Sequence, residues 1–286
     1  MSTFNPKVIA QYAAPIRILV FLLTLVVLWA PWAVSVYTVF SLTRDLNDPG
    51  VLNLLNIWVM GGLAVLFLLF LPWWKRRVDG QLRAFSSIGL VSSRRNWLGF
   101  LGGWLNGLIS TIAIFALQGA LGWLVWQPIA IPWPELILGG LLSSIGVALA
   151  EELFFRGWLL QELEADYSPF TALTVNSLIF AALHFMKPLA AMLGSLPQFP
   201  GLTILGAVLV LAKRSQKNLL GISIGLHAGM TGAIYLVNVG QLVRYTGNVS
   251  DWMTGIYGAP HAGLLGIIAL AILAGYFGWA GRAVKS

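Results

Sequence analysis

The chain has 286 residues, of which 58% are hydrophobic and 9% charged, against roughly 25% charged in an ordinary soluble domain. That composition excludes a soluble enzyme and predicts a polytopic membrane protein; 31 glycines and 13 tryptophans fit, since Gly is common in spanning helices and Trp collects at membrane interfaces. The net charge of +7 sits in short segments between apolar runs, which orients a chain in a bilayer and implies no nucleic acid, and the lack of cysteine excludes disulfides, thiolate metal sites and cysteine nucleophiles.

A spanning helix needs about 20 mostly apolar residues. Eight segments qualify, near 18–40, 51–74, 98–126, 136–163, 169–187, 197–212, 218–239 and 261–280. The expected fold class is therefore all-α, a polytopic membrane helical bundle of about eight transmembrane helices. The first apolar run is longer than a signal-peptide core and is read as retained, with Pro31 as a candidate kink. "SLPQFPG" blurs the start of the sixth. The chain is read as one integral domain with three parts: N-terminal helices and a basic loop over 1–134, a polar-bearing core over 135–240, and a loop with the last helix over 241–286.

Eight spans put both termini on one side of the membrane. With that side cytoplasmic, Lys7, Arg17, Lys75, Arg76, Arg77, Arg83, Arg94, Arg95, Lys213, Arg214, Lys217, Arg282 and Lys285 lie inside, while Arg44, Lys187 and Arg244 lie outside. This is the asymmetry of the positive-inside rule. The expected location is an integral protein of a prokaryotic plasma membrane, since the chain is compact and shows no targeting extension.

The fourth span contains "EELFFR", with Glu151, Glu152 and Arg156 at bilayer depth. Each such charge is disfavoured by at least about 2.5–3.5 kcal/mol, so these residues face a bundle interior and mark a candidate site. Glu152 and Arg156 are four apart and share a helix face, where they can pair; Glu151 points about 100° away. A structural ion pair would account for Glu152 with Arg156 but leaves Glu151 unexplained. The next span, "FTALTVNSLIFAALHF", carries His184. Glu151 and His184 lie equally far along the chain from the turn between Tyr167 and Ser168, so an antiparallel hairpin brings them to one level. A lone His on an apolar helix is commonly a core residue; shared depth with a carboxylate argues for chemistry.

In "NLLGISIGLHAGMTGAIYLV", His227 follows a basic turn by about ten residues, or about 15 Å of helix. Thr231 lies one turn on, on the same face, and offers a hydroxyl. His261 in "GAPHAG" reads as interfacial, Glu135 as a carboxylate favoured at a helix N-terminus, and Asn106, Asn176 and Asn238 as interhelical hydrogen-bonders.

In this order, these residues resemble the CAAX prenyl protease 2 family, also called abortive-infection or bacteriocin-processing proteins, a group of intramembrane glutamate proteases. Its Glu-Glu-x-x-x-Arg motif matches Glu151, Glu152 and Arg156. Its Phe-x-x-x-His motif matches Phe180 and His184. Its His-x-x-x-Asn/Asp motif matches His227, with Thr231 in the last place. The resemblance spans roughly 135–240 and implies an endopeptidase in which Glu151, with His184, activates a water, His227 supplies an oxyanion donor, and Glu152 and Arg156 support the helix or touch substrate.

The chemistry is consistent with those roles. A carboxyl group held away from bulk water is a better base, and one oxyanion donor is typically worth about 10²–10³ in rate. Thr231 carries a shorter donor than Asn and can bond its own helix. The alternatives are a catalytically lapsed scaffold that binds its partner, a transporter using buried Glu and His, and a zinc-dependent metalloprotease, since Glu with two His is a zinc ligand set. The chain lacks a His-Glu-x-x-His helix, and the resemblance implies no metal or other cofactor. The expected partners are membrane lipid and a hydrophobic or lipidated peptide or protein substrate. No motif sets an oligomeric state or a requirement for a prenyl group.

Overall fold

The computed structural model describes residues 6–186, 189–255 and 258–283; Lys187 and Lys285, counted among the orienting cations, lie outside them. The chain divides into two compact units, Met1–Ser87 and Ile88–Ser286.

In the first unit a short 3₁₀ turn precedes two long helices, α1 (Ala14–Thr43) and α2 (Pro49–Arg77), followed by the single turn α3 (Ala84–Ser87). Asp48 caps α2 by accepting from the N–H groups of Gly50 and Val51, and Pro49 takes the first helical position, where its missing N–H has no intrahelical partner to lose. α1 and α2 form an antiparallel hairpin closed by rings: Phe21 lies 6.1, 5.0 and 5.1 Å from Phe67, Phe70 and Trp74. Farther along, the Trp29 and Trp32 indoles donate to the carbonyls of Val59 and Trp58. Pro31 sits within a helix that continues unbroken through Thr43.

The second unit runs α4 (Arg94–Ala120), β1 (Leu124–Trp126), α5 (Trp133–Glu152), a π-helical segment (Leu153–Leu159), α6 (Leu160–Asp166), α7 (Pro169–Leu183), α8 (Leu189–Ser195), a 3₁₀ turn, α9 (Phe199–Ser215), α10 (Gly221–Val239), β2 (Val243–Tyr245), α11 (Asp251–Thr254), a 3₁₀ turn (Pro260–Ala262) and α12 (Leu264–Ala283). Among the described residues seven helices are long and apolar enough to cross a membrane, with α5 through α6 counting as one. The eighth expected span is α7, whose 15 residues rise only about 22 Å, short of a hydrocarbon core of about 30 Å.

Two stretches expected to be helical are not. After Ala120 the chain turns at Gly122 (φ +74°), and Leu124–Trp126 pairs antiparallel with Val243–Tyr245. Hydropathy cannot separate an apolar helix from an apolar strand, and Leu124 packs with Phe115 and Val237 in a small core. At the other place α7 stops at Leu183, so that His184 begins a turn.

α10 is the centre of this unit. It runs parallel to α4 through two facing glycine rows: Gly103 and Gly107 sit on the carbonyls of Ile222 and Leu226, and Gly221, Gly225 and Gly229 on those of Asn96, Phe100 and Trp104. A Cβ at any of them would lie 2.0–2.3 Å from a backbone oxygen, so only glycine allows the two backbones this approach. Asn96 locks the register, accepting from Gly221 N–H at 2.7 Å and donating to Val91 at 2.9 Å. The glycine face points at α4. His227, two residues beyond Gly225, is turned about 200° from it, toward α5.

Candidate active site

The arginine of "EELFFR" lies inside the π segment, where Leu160 N–H bonds to Phe155 C=O five residues back. Such a bulge breaks the i→i−4 ladder and is frequent at functional sites. The carbonyls it loosens find side chains: Asn176 Nδ2 of α7 donates to Phe155 at 2.8 Å, and Lys213 Nζ of α9 donates to Arg156 at 2.6 Å. Lys213 is buried, so this lysine of the basic turn binds protein interior as well as marking a membrane side.

Glu152 and Arg156 pair as their spacing predicts, Nη1 to Oε1 at 2.9 Å, with both side chains fully buried. Arg156 also donates to Gly206 C=O at 3.3 Å, and its guanidinium lies 4.2 Å from the Phe180 ring centre. A third partner was not foreseen: His227 Nδ1 lies 2.9 Å from the same Glu152 oxygen. That oxygen already accepts from Arg156, so His227 Nδ1 is assigned as the donor.

Glu151 is placed differently. Its Oε2 stands 3.9 Å from His184 Nε2 and 3.9 Å from His227 Nε2, equidistant from the two imidazoles. This oxygen is shielded from solvent and has no hydrogen-bond partner among the described residues. The rest of the pocket is open, since the Glu151 side chain is 29% and that of His184 32% exposed, against 0% for Glu152. His184 Nδ1 contacts Phe180 C=O at 2.7 Å; a carbonyl only accepts, so Nδ1 carries a proton, and Nε2 is the ring nitrogen nearer Glu151 Oε2. Phe180 lies against the His184 ring at 4.5 Å and the His227 ring at 6.1 Å, which links the buried arginine to both histidines.

Five of the seven expected residues thus converge directly, and Phe180 packs among them. Thr231 does not reach in: its hydroxyl donates to His227 C=O at 2.9 Å, on its own helix. A metal requires a tighter set. Two ligands of one tetrahedral zinc, each about 2.0–2.1 Å away, stand about 3.4 Å apart, closer than the 3.9 Å spacings here. Among the described residues no group of three His, Asp or Glu has metal-holding geometry.

The other polar expectations divide. Asn176 bonds across helices as expected, and Asn238 donates to Gly258 C=O in the loop before α12. Asn106 instead caps back on Gly102 of its own helix. Glu135 is in the first turn of α5. His261 is not interfacial: it is buried, its Nε2 3.2 Å from the Thr111 hydroxyl of α4. Its backbone is held by close approach, because a Cβ at Gly201 would lie 2.6 Å from His261 C=O and one at Gly266 2.4 Å from its Cα. Burial, and secondarily the charge of His227, brings the His261 imidazole down to about 4, so it is neutral at pH 7.

Residues 132–233 match the model of the family described as type II CAAX prenyl endopeptidase, Rce1-like. This stretch holds Glu151, Glu152, Arg156, Phe180, His184, His227 and Thr231, and leaves out α4 and His261. No curated protein and no solved structure matches the chain. Seven helices of membrane-spanning length, together with the similarity to this membrane-protease family over 132–233, make the chain an integral membrane protein.

Proposed function

We propose that the protein is an intramembrane endopeptidase of the glutamate type. The observation that carries this reading is the placement of one unpartnered Glu151 oxygen 3.9 Å from each of two imidazole Nε2 atoms. Glu151 takes a proton from a water held against His184, and the hydroxide oxygen adds to the scissile carbonyl carbon. The carbonyl oxygen becomes an oxyanion facing His227. Because His227 gives Nδ1–H to Glu152, Nε2 is a donor only when the ring is an imidazolium, a form that a carboxylate at Glu152 stabilises. The proton carried by Glu151 then passes to the amide nitrogen as the C–N bond breaks, leaving a carboxylic acid and an amine.

With α7 counted as an eighth, tightly fitted span, the positive-inside reading has the α6–α7 end of the site and both termini on the cytoplasmic side. A substrate cut at this place is a membrane-associated chain with a hydrophobic or lipidated tail. The Rce1-like match favours a C-terminal prenylated cysteine motif as the first class to test.

The test uses purified protein with excess chelator and quenched-fluorescence peptides that include farnesylated C-terminal tetrapeptides. Wild type is expected to cleave, and Glu151→Gln and His184→Ala to lose about 10²–10⁴ in rate. Cleavage abolished by chelator and restored by zinc would replace this mechanism with a metal-assisted one. The Thr231 hydroxyl, spent on its own helix, favours a second reading in which the site binds without cutting. Wild type inactive on every peptide, with Thr231→Asn active, would establish that reading.

A further inference from the structure

The second unit has a groove of about 690 Å³ between α4 and α12 that includes none of the site residues. Arg94 and Arg95, at the start of α4, line one end; Leu98, Gly99, Gly102 and Asn106 follow along the same helix, with Ile222 of α10 and Tyr276 and Phe277 of α12 lining the rest. From Arg95 to Asn106 the groove follows one helix face for about 17 Å. The volume falls in the range of ligand sites, about 300–1,000 Å³.

The charge is one-sided. No acidic residue lines the groove, Arg94 has no hydrogen bond or ion pair among the described residues, and Arg95 is steadied by Gln216 through Nε at 3.3 Å, which leaves its terminal nitrogens for another partner. Two guanidiniums at the end of a spanning helix match a phosphate diester. Beyond them, two glycines without side chains and the two aromatic rings match an acyl chain. The catalytic face of α10 points away from α4, so this groove is separate from the path to Glu151.

We propose that the groove holds one anionic phospholipid, its phosphate between Arg94 and Arg95 and an acyl chain along Gly99 and Gly102 toward Asn106. The experiment is native mass spectrometry of the full chain in mild detergent, titrated in parallel with phosphatidylglycerol and phosphatidylcholine. Wild type is expected to keep one phosphatidylglycerol about 30-fold more tightly than phosphatidylcholine, and Arg94→Gln with Arg95→Gln to erase that preference. Gly102→Leu is expected to lower retention of both lipids, with an unchanged thermal transition, because a Cβ at Gly102 meets no atom within 4 Å. The proposal fails if the double arginine variant keeps the preference, or if Gly102→Leu retains lipid as wild type does. It also fails if a farnesylated peptide displaces the lipid, which would make the groove a substrate site.

Discussion

Two helix pairs in this chain pack by opposite means. α1 and α2 meet through rings, with Phe21 among Phe67, Phe70 and Trp74, and the most apolar stretch of α1 is 11% buried. α4 and α10 meet through backbones, glycine against carbonyl, and the corresponding stretch of α10 is 67% buried. Yet α1 is the more apolar, at mean hydropathy 2.3 against 1.4. Hydropathy reports compatibility with lipid, whereas close backbone approach reports where a chain commits to one arrangement. The polar site is built on the second kind of helix, because His227 must be held against Glu152 with an accuracy that flexible aromatic contacts do not provide.

The largest expected effect breaks the glycine contact itself. Gly225→Leu puts a Cβ 2.0 Å from Phe100 C=O, and backbone cannot yield as a side-chain tip can. The helices must separate, with an expected loss above about 5 kcal/mol, the range in which single changes are exceptional. Gly61→Leu in α2, where a Cβ meets nothing within 4 Å, is expected to leave the thermal transition of the purified protein unchanged. Equal losses in the two variants would refute the contrast.

Next come the two adjacent carboxylates. Glu152→Gln removes the counter-charge of Arg156 in a fully buried setting and leaves Arg156 and His227 only a neutral amide oxygen to donate to. Leaving one partner of a buried pair uncompensated is expected to cost about 3–5 kcal/mol of stability. Glu151→Gln, half-open to its surroundings and unpartnered at Oε2, is expected to move the transition little while removing cleavage. Thermal melts set beside peptide cleavage for both variants separate the roles; a stable Glu152→Gln protein would show that the Glu152 charge, shared by Arg156 and His227, is not what holds α5 to α10.

These contrasts follow what was legible in the sequence. The Glu152–Arg156 bridge follows from an i, i+4 spacing, and the Glu151–His184 meeting follows from equal distances to one turn, both properties of a single helix or hairpin. The bond between Glu152 and His227 joins elements separated by 75 residues, and no local pattern encodes it. The π segment was likewise hidden, since its stability rests on Asn176 and Lys213 reaching in from two other helices. The glycine rows did leave a signal: Gly99, Gly103 and Gly107 and then Gly221, Gly225 and Gly229 recur every four residues, the small-residue pattern of close helix pairs. Glycine is common throughout spanning helices, so the spacing alone does not single out which pair meets. The strand pair and the burial of His261 had no comparable mark, because apolar loop and apolar helix share one composition.

His261 gives the smallest effect and the cleanest sign. It belongs to the glycine-packed side of the comparison, fixed by the close approaches at Gly201 and Gly266 and bonded to Thr111, one turn beyond Gly107. Its imidazole titrates near 4 in the folded protein, mainly through burial and then through His227, against 6.5 when unfolded. Between those values the unfolded chain binds a proton that the folded one refuses, so stability rises with pH across this window. It is complete above about 6.5 and falls away toward 4, by at most about 3 kcal/mol. His261→Gln can keep a donor for Thr111 and cannot titrate. The difference between wild-type and His261→Gln melting temperatures is therefore expected to change between pH 7 and pH 4, wild type losing more, while carboxylates common to both cancel. Parallel curves would mean that acid opens this part of the unit to water before His261 takes its proton, and that its backbone contacts hold less firmly than the glycine rows between α4 and α10.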